Sequence, residues 1–291
     1  MTDSMMVFDR RAVRAHRDRA AATIARYDFL LQEVAGRLIE RLEDVKRDFS
    51  VALDLGCHTG GLRPALRATG KVGSLVSCDF SPAMVSRAAG PRVAADEEAL
   101  PFKGGSFDLV ISLLSLHWVN DLPGTLLQIR SALKPDGLFL GAMLGGQTLK
   151  ELRHALAEAE IAGEGGLSPR VSPFADVRDA GDLLQRAGFA LPVIDAEILT
   201  VVYPDPLKLM SDLRGMGETN ATIERRKSFT RRATLLDGLA RYRNAFGNED
   251  GTVPATFQVV YLSGWSPHES QPKPLRRGSA RNRLADALGN S

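Results

Sequence analysis

Between Val51 and Gly60 the chain reads Val-Ala-Leu-Asp-Leu-Gly-Cys-His-Thr-Gly, and no other stretch narrows the possible folds as much. A short apolar run ends in a carboxylate, a glycine-rich turn follows, and a helix is expected to open near Leu62. Doubly wound α/β sheets present a strand end and a helix start to a nucleotide-like ligand in this way. Gly56 and Gly60 carry no Cβ, so the backbone at both points can approach a ligand closely. Alone, the turn is a weak signal shared by many tight strand-to-helix connections.

The following segments strengthen it. Twenty-five residues after Asp54, the run Ser74-Leu75-Val76-Ser77-Cys78-Asp79 reads as a second strand ending in an acid. An acid there can accept hydrogen bonds from two vicinal ribose hydroxyls. Ser81 then reads as a helix N-cap with Pro82 at the first helical position. Within Ala94 to Phe102, Asp96 is placed to accept from an exocyclic adenine amine. Phe107 to Leu114 reads as a buried strand, and Leu133 to Gly137 as a turn into another strand, Leu138 to Met143.

As a set, these features over about residues 50–145 resemble the class I S-adenosylmethionine-dependent methyltransferases. The resemblance implies a doubly wound, Rossmann-like α/β sheet of seven strands, the last antiparallel, with helical lid insertions. It also implies S-adenosylmethionine as cofactor, held by Asp54, Gly56, Cys57, His58, Gly60, Asp79, Phe80, Met84, Asp96, Glu97 and Ser112. One position departs from the pattern: the middle glycine of D-x-G-x-G-x-G is His58. Histidine tolerates positive φ better than most side chains but less well than glycine. The favoured reading is a tolerated substitution in a roomy loop. The sharper one is altered cofactor use, or a polar group placed in the site for chemistry.

Composition fits an enzyme with a substantial core: 44% hydrophobic and 25% charged residues in 291. No apolar run approaches the ~20 residues of a membrane-spanning helix, and no apolar signal-peptide core opens the chain. Arg10, Arg11, Arg14, Arg17 and Arg19 faintly evoke a mitochondrial presequence, against which Asp3, Asp9 and Asp18 argue. Cys57 and Cys78 end strands expected to be neighbours and read as buried thiols in a reducing compartment. The five histidines show no metal-ligand spacing, so no metal is expected. A net charge of +2 gives no argument for nucleic acid. The basic runs Arg225 to Arg232 and Lys273 to Arg283 read as solvated surface.

Organisation follows from periodicity. Apolar residues from Ile24 through Leu31, Val34, Leu38, Leu42 and Val45 predict one amphipathic helix that can pack over the cofactor face. Thr148 to Ile161 reads as helix, Asp179 to Ala187 as a helix stopped by Gly188, and Val193 to Tyr203 and Thr256 to Leu262 as strands. About fifty residues separate those two strands, far more than a hairpin needs. The division expected is a helical segment over 1–48, a cofactor core over 49–145, the rest of the sheet with its lid over 146–265, and a loose tail over 266–291. The lid comprises about 145–175 and 204–253.

Several further segments resemble a narrower family. They are Ser115 to Gly124 (Ser-Leu-His-Trp-Val-Asn-Asp-Leu-Pro-Gly), Gly145 to Arg153, Tyr203-Pro204, Asp212 to Asn220 (Asp-Leu-Arg-Gly-Met-Gly-Glu-Thr-Asn), Val253 to Gln258, and the pieces Gly264 to His268 and Gln271 to Pro274. Together they are similar to the complex I assembly factors with a methyltransferase fold and their bacterial relatives, over nearly the whole chain. That resemblance implies hydroxylation of an arginine on a core iron–sulfur subunit of complex I. It also implies a bacterial cytoplasmic protein, or a mitochondrial matrix protein if eukaryotic, with transient association with membrane-bound complex I. The runner-up is the O-methyltransferase acting on malonyl-[acyl-carrier protein] in biotin synthesis or another small-molecule methyltransferase; a non-catalytic assembly chaperone is a third reading. For catalysis the candidates are His117 as a base, Trp118 as a pocket wall stacking on a guanidinium, and Glu218 as a bidentate partner for arginine. Packing of the loop after the fourth strand is the plain alternative for His117 and Trp118. For Glu218 and Asn220 it is capping of the following helix.

Overall fold

A computed structural model describes residues 6–272. Helices α1 (Arg10–Ala20) and α2 (Phe29–Glu43) precede an alternating series: β1 (Phe49–Leu55), α3 (Leu62–Ala68), β2 (Val72–Asp79), α4 (Pro82–Val85), β3 (Arg92–Ala94), β4 (Phe107–Leu113), α5 (Leu122–Ala132) and β5 (Leu133–Leu144). Then follow α6 (Lys150–Glu164), α7 (Val177–Arg186), β6 (Ala190–Tyr203), α8 (Pro206–Met216), α9 (Arg232–Phe246) and β7 (Val253–Trp265).

The seven strands form one sheet in the order β3-β2-β1-β4-β5-β7-β6. β1 pairs in parallel with β2 on one side and β4 on the other, so the order reverses at β1. Ligands of such sheets bind outside the carboxyl ends of strands at this switch point. β7 runs antiparallel to both β5 and β6. This is the seven-stranded sheet expected from the resemblance, last strand antiparallel. Alternation places each strand's side chains on two faces. Leu109, Ile111 and Leu113 of β4 join α2 and α3 residues in one core, whereas Val110 joins residues of α5 and α7 in the other.

α2 buries Leu30, Val34, Ala35, Leu38 and Leu42 at three- and four-residue steps. The single helix predicted from Ile24 to Val45 is interrupted: a 3-10 turn at Ile24–Arg26 ends at Tyr27, whose φ of −132° leaves the helical region. The Tyr27 ring lies against Gly215 of α8, where an added Cβ would come within 2.4 Å of it. Four elements are absent from the sequence reading: α1, α5, α8 and the short β3. The arginine-rich start, weighed as a faint presequence, folds as α1. Asp9 caps it by accepting from Ala12 N–H, and Val13, Arg17 and Ala20 are buried. Asp205 caps α8 by accepting from Leu207 and Lys208. Of the expected tail, residues 273–291 lie outside the described residues, as do residues 1–5. No helix among the described residues is long and apolar enough to cross a membrane.

Leu38 is fully buried between α2 and the sheet. Leu38→Ala is expected to cost about 2–5 kcal/mol of folding stability, read by urea unfolding. A cost below about 1 kcal/mol would show that α2 does not anchor this face.

Candidate functional site

The turn after β1 bends by using left-handed backbone at Gly56 (φ 71°), His58 (49°) and Gly60 (81°). At Gly56 an added Cβ would fall 2.1 Å from Ser115 Cβ, so only glycine fits. His58 accepts the strained conformation because both ends of it are tied. Its N–H donates to Asp79 Oδ2 at 2.9 Å, and its ring Nε2–H donates to the Leu113 carbonyl at 3.1 Å. A carbonyl only accepts, so the remaining nitrogen, Nδ1, is the unprotonated one, and it is buried without a partner. Burial, and then the Arg17 charge, hold the imidazole pKa below its ordinary value. The ring is therefore neutral.

Asp54, Gly56, Cys57 and His58 line a cavity of about 160 Å³ closed on its other side by Ile24, Leu31 and Ala35. Both carboxyl oxygens of Asp54 are buried with no hydrogen-bond partner, a costly state without a donor or cation to meet them. Burial first and the Asp79 charge second push this carboxyl up to about 7, with Arg63 opposing. Ser112, opposite Leu55 in the sheet register, has a buried hydroxyl that is likewise unpartnered. A small cavity, a glycine turn and an orphaned carboxyl fit the ammonium-bearing amino-acid end of S-adenosylmethionine. Cys57 and Cys78 are free buried thiols, pushed up chiefly by burial.

The acids expected to hold the nucleoside are also brought together, but beneath α1. Asp79 accepts from Ser81 N–H at 2.8 Å besides His58, and Arg17 Nη1 lies 3.5 Å from its Oδ1. Glu97 accepts from Arg17 Nη1 at 2.9 Å, from Ser115 Oγ at 2.8 Å and from Arg10 Nη2 at 2.5 Å. Arg10 also donates to Asp96 at 2.5 Å and to the Trp118 carbonyl at 3.1 Å, and its guanidinium lies 4.3 Å from the Phe80 ring centroid. Met84 is buried against Ala20, Ala21 and Ile24. Burial raises the Glu97 pKa, but Arg17 and Arg10 outweigh it and hold the group at about 2. Arg10 and Arg17 are the functional residues that sequence reasoning missed. Their seven-residue spacing, which puts both on one helix face, was the available signal.

The three catalytic candidates converge. His117 Nε2 and Trp118 Nε1 both donate to Glu218 Oε2, at 3.0 and 2.9 Å. Burial raises the Glu218 pKa, but His117, Arg17 and His58 outweigh it, so the carboxyl stays below its ordinary value and ionised. Glu218 and Trp118 line a second cavity of about 380 Å³ with Leu152, Phe174, Leu213 and Arg214, walled by α6, α8 and α9. Asn220, offered by the sequence beside Glu218 as a partner for an arginine, lines the same cavity but is largely engaged within the protein. Its Oδ1 accepts from Ser172, Thr222 N–H and Thr222 Oγ, and its Nδ2 donates to the Pro169 carbonyl, so it ties two loops together.

The chain is similar to known proteins in domain, sequence and fold. A family model described as "Methyltransferase domain" matches residues 53–141. The chain is 47% identical over 289 residues to "Arginine-hydroxylase NDUFAF5, mitochondrial" of Danio rerio, covering 97% of this chain and 89% of that one. It is 36% identical to the malonyl-[acyl-carrier protein] O-methyltransferase of Methylovorus sp. (strain MP688), covering 92% of each. Among solved structures, phosphoethanolamine N-methyltransferase 2 of Haemonchus contortus, bound to S-adenosylhomocysteine, superposes with a TM-score of 0.54 at 17% identity. The match covers 88% of this chain and 60% of that one, a likeness of fold.

Asp54 gives a prediction with a definite sign. Its folded pKa lies above the unfolded value, so its contribution to stability is fully present below about pH 4 and is lost as the pH rises to about 7. Asp54→Asn removes the ionisable group. The melting temperature of the variant relative to the parent is expected to rise between pH 5 and pH 8. A difference that stays constant over that interval would contradict the raised pKa.

Proposed function

The chain belongs to the methyltransferase-fold family that contains these mitochondrial arginine-hydroxylases, and on that footing we propose that it binds S-adenosylmethionine and modifies an arginine of a complex I core subunit by hydroxylation. The observation that carries the substrate half is the Glu218 carboxylate. His117 and Trp118 fix one of its oxygens, it remains ionised, and it lines a cavity large enough for a side chain. A carboxylate held in this way matches a guanidinium. The apolar wall of Leu152, Phe174 and Leu213 suits the methylene stem of arginine. Trp118 serves here as a donor that orients Glu218 as well as a wall. His117 acts through Glu218 as a positioning residue.

The cofactor half rests on Asp54, Gly56, Cys57 and His58 for the amino-acid end and on Asp79, Phe80, Asp96 and Glu97 for the nucleoside. When bound, S-adenosylmethionine supplies a sulfonium and an electrophilic methyl group. Hydroxylation is a two-electron oxidation that replaces C–H with C–O–H. With dioxygen as the oxidant, one oxygen atom enters the arginine side chain and the other leaves as water at the expense of a two-electron reductant, dioxygen and reductant both being supplied as co-substrates. The chain's residues bind the arginine, orient it and exclude water. We place this activity in the bacterial cytoplasm, or in the mitochondrial matrix of a eukaryote.

One observation favours the carboxylate-substrate reading instead. Arg214 lines the same cavity, and its side chain makes no ion pair or hydrogen bond among the described residues. Two of the other insertion cations are already paired: Arg225 with Asp9 at 3.0 Å and Arg226 with Glu164.

Deleting the gene separates the readings. One arginine of a complex I core subunit is expected to lose the mass of one oxygen atom in mass spectrometry, with poor assembly of the complex. Biotin auxotrophy with an unchanged subunit would establish the malonyl reading, and failed assembly without a mass change the chaperone reading. In the same strain, Glu218→Gln is expected to lower arginine modification about 10- to 100-fold, the loss of a charge-assisted hydrogen bond. Affinity for S-adenosylhomocysteine should be unchanged. Full modification by Glu218→Gln would remove Glu218 from the substrate site.

A further inference from the structure

The two halves of the cofactor site differ in access. The amino-acid half is an open cavity at Asp54. The nucleoside half is filled: Asp79 and Glu97 are fully buried, and Arg17 is 1% exposed between them. Arg10 closes the outer end by pairing with Asp96 and Glu97 and covering Phe80. Each group expected to meet ribose or adenine therefore already meets a guanidinium or a residue of α1.

We propose that α1 is the gate of the nucleoside site: Arg10 and Arg17 hold the nucleoside-binding acids, and an adenosine-bearing cofactor enters by displacing them. This rests on the cofactor reading given above. The carboxylates are handed from one cationic donor set to hydroxyl and amine donors, and no covalent step is involved. Besides Arg10 and Arg17, α1 and the residues before it are held by the 219–225 loop, where Asp9 N–H donates to the Ala221 carbonyl and Asp9 pairs with Arg225, and by three contacts nearer the site. Ser81 Oγ, which also caps α4, donates to Asp18. Phe8, just before α1, packs edge-on against Trp118 with ring centroids 5.3 Å apart. Asn120 Oδ1 accepts from the backbone N–H of Val7 and Phe8, both at 2.8 Å. α1 buries Val13 and Ala20 in two small apolar clusters beside these polar contacts, whereas α2 joins the main core of the sheet.

A gate that is mostly closed lowers apparent affinity by the fraction of molecules that are open. Loosening it must therefore tighten binding. Arg17→Met retains the Arg10 and Ser115 partners of Glu97, and Asp18→Ala loosens the latch without touching Arg10 or Arg17, removing besides only the exposed Arg14–Asp18 pair. Calorimetry with S-adenosylhomocysteine is expected to show both variants binding at least about fivefold tighter than the parent protein. Hydrogen exchange on the parent should show α1 amides exchanging faster once S-adenosylhomocysteine is bound. Binding detected only in the variants would support the gate equally. Equal or weaker binding by both variants, with α1 protected by the ligand, would overturn the gate and leave the cofactor reading standing. No binding by parent or variants would end both.

Discussion

The nucleoside end of this sheet's carboxyl edge is organised by the buried guanidinium of Arg17. It sits between Asp79 and Glu97 and donates to Ser115, which in turn donates to Glu97. Buried carboxylates are tolerated when paired and hydrogen-bonded, and are expensive when not. The site displays both conditions side by side. Glu97, held by two arginines, is pulled down to about 2. Asp54, near the end of β1 and without a hydrogen-bond partner, is pushed up to about 7. The two acids have the same chemistry, and their surroundings set them apart.

The N-terminal residues also join the cofactor side to the substrate side. Arg10 reaches from Asp96 and Glu97 to the Trp118 carbonyl, and Trp118 donates its indole N–H to Glu218. A movement of α1 therefore alters the backbone hydrogen bonding and packing of the residue that helps orient Glu218. On the proposed reading, cofactor entry and the geometry of the Glu218 cavity share these parts, which gives a physical route for one to prepare the other. The two cavities themselves remain separate in their linings: Asp54 and His58 belong to one, Glu218 and Arg214 to the other.

The sheet was legible in the sequence because its determinants are local. Asp54-Leu-Gly and Ser81-Pro82 encode a strand end, a turn and a helix cap within a few residues, and the strand alternation carries the rest. His58 could be recognised as a departure, but its tolerance comes from Asp79 and Leu113, more than twenty and fifty residues away. The meeting of His117, Trp118 and Glu218 spans about one hundred residues, and only the family resemblance placed them in one site. α1 was hidden for a different reason. Its buried face includes two arginines, and hydrophobic periodicity does not register a face whose partners are acids. α8 was likewise obscured by the Gly215 to Asn220 run, whose glycines pack against Tyr27 and α1.

A crystal structure of the full chain with S-adenosylhomocysteine tests the central claim most directly. The account predicts the ribose hydroxyls on Asp79, the ammonium at Asp54, and α1 displaced so that Arg17 no longer touches Glu97. A nucleoside bound elsewhere, or one seated on Asp79 with the Arg17–Glu97 pair and α1 unmoved, would contradict it.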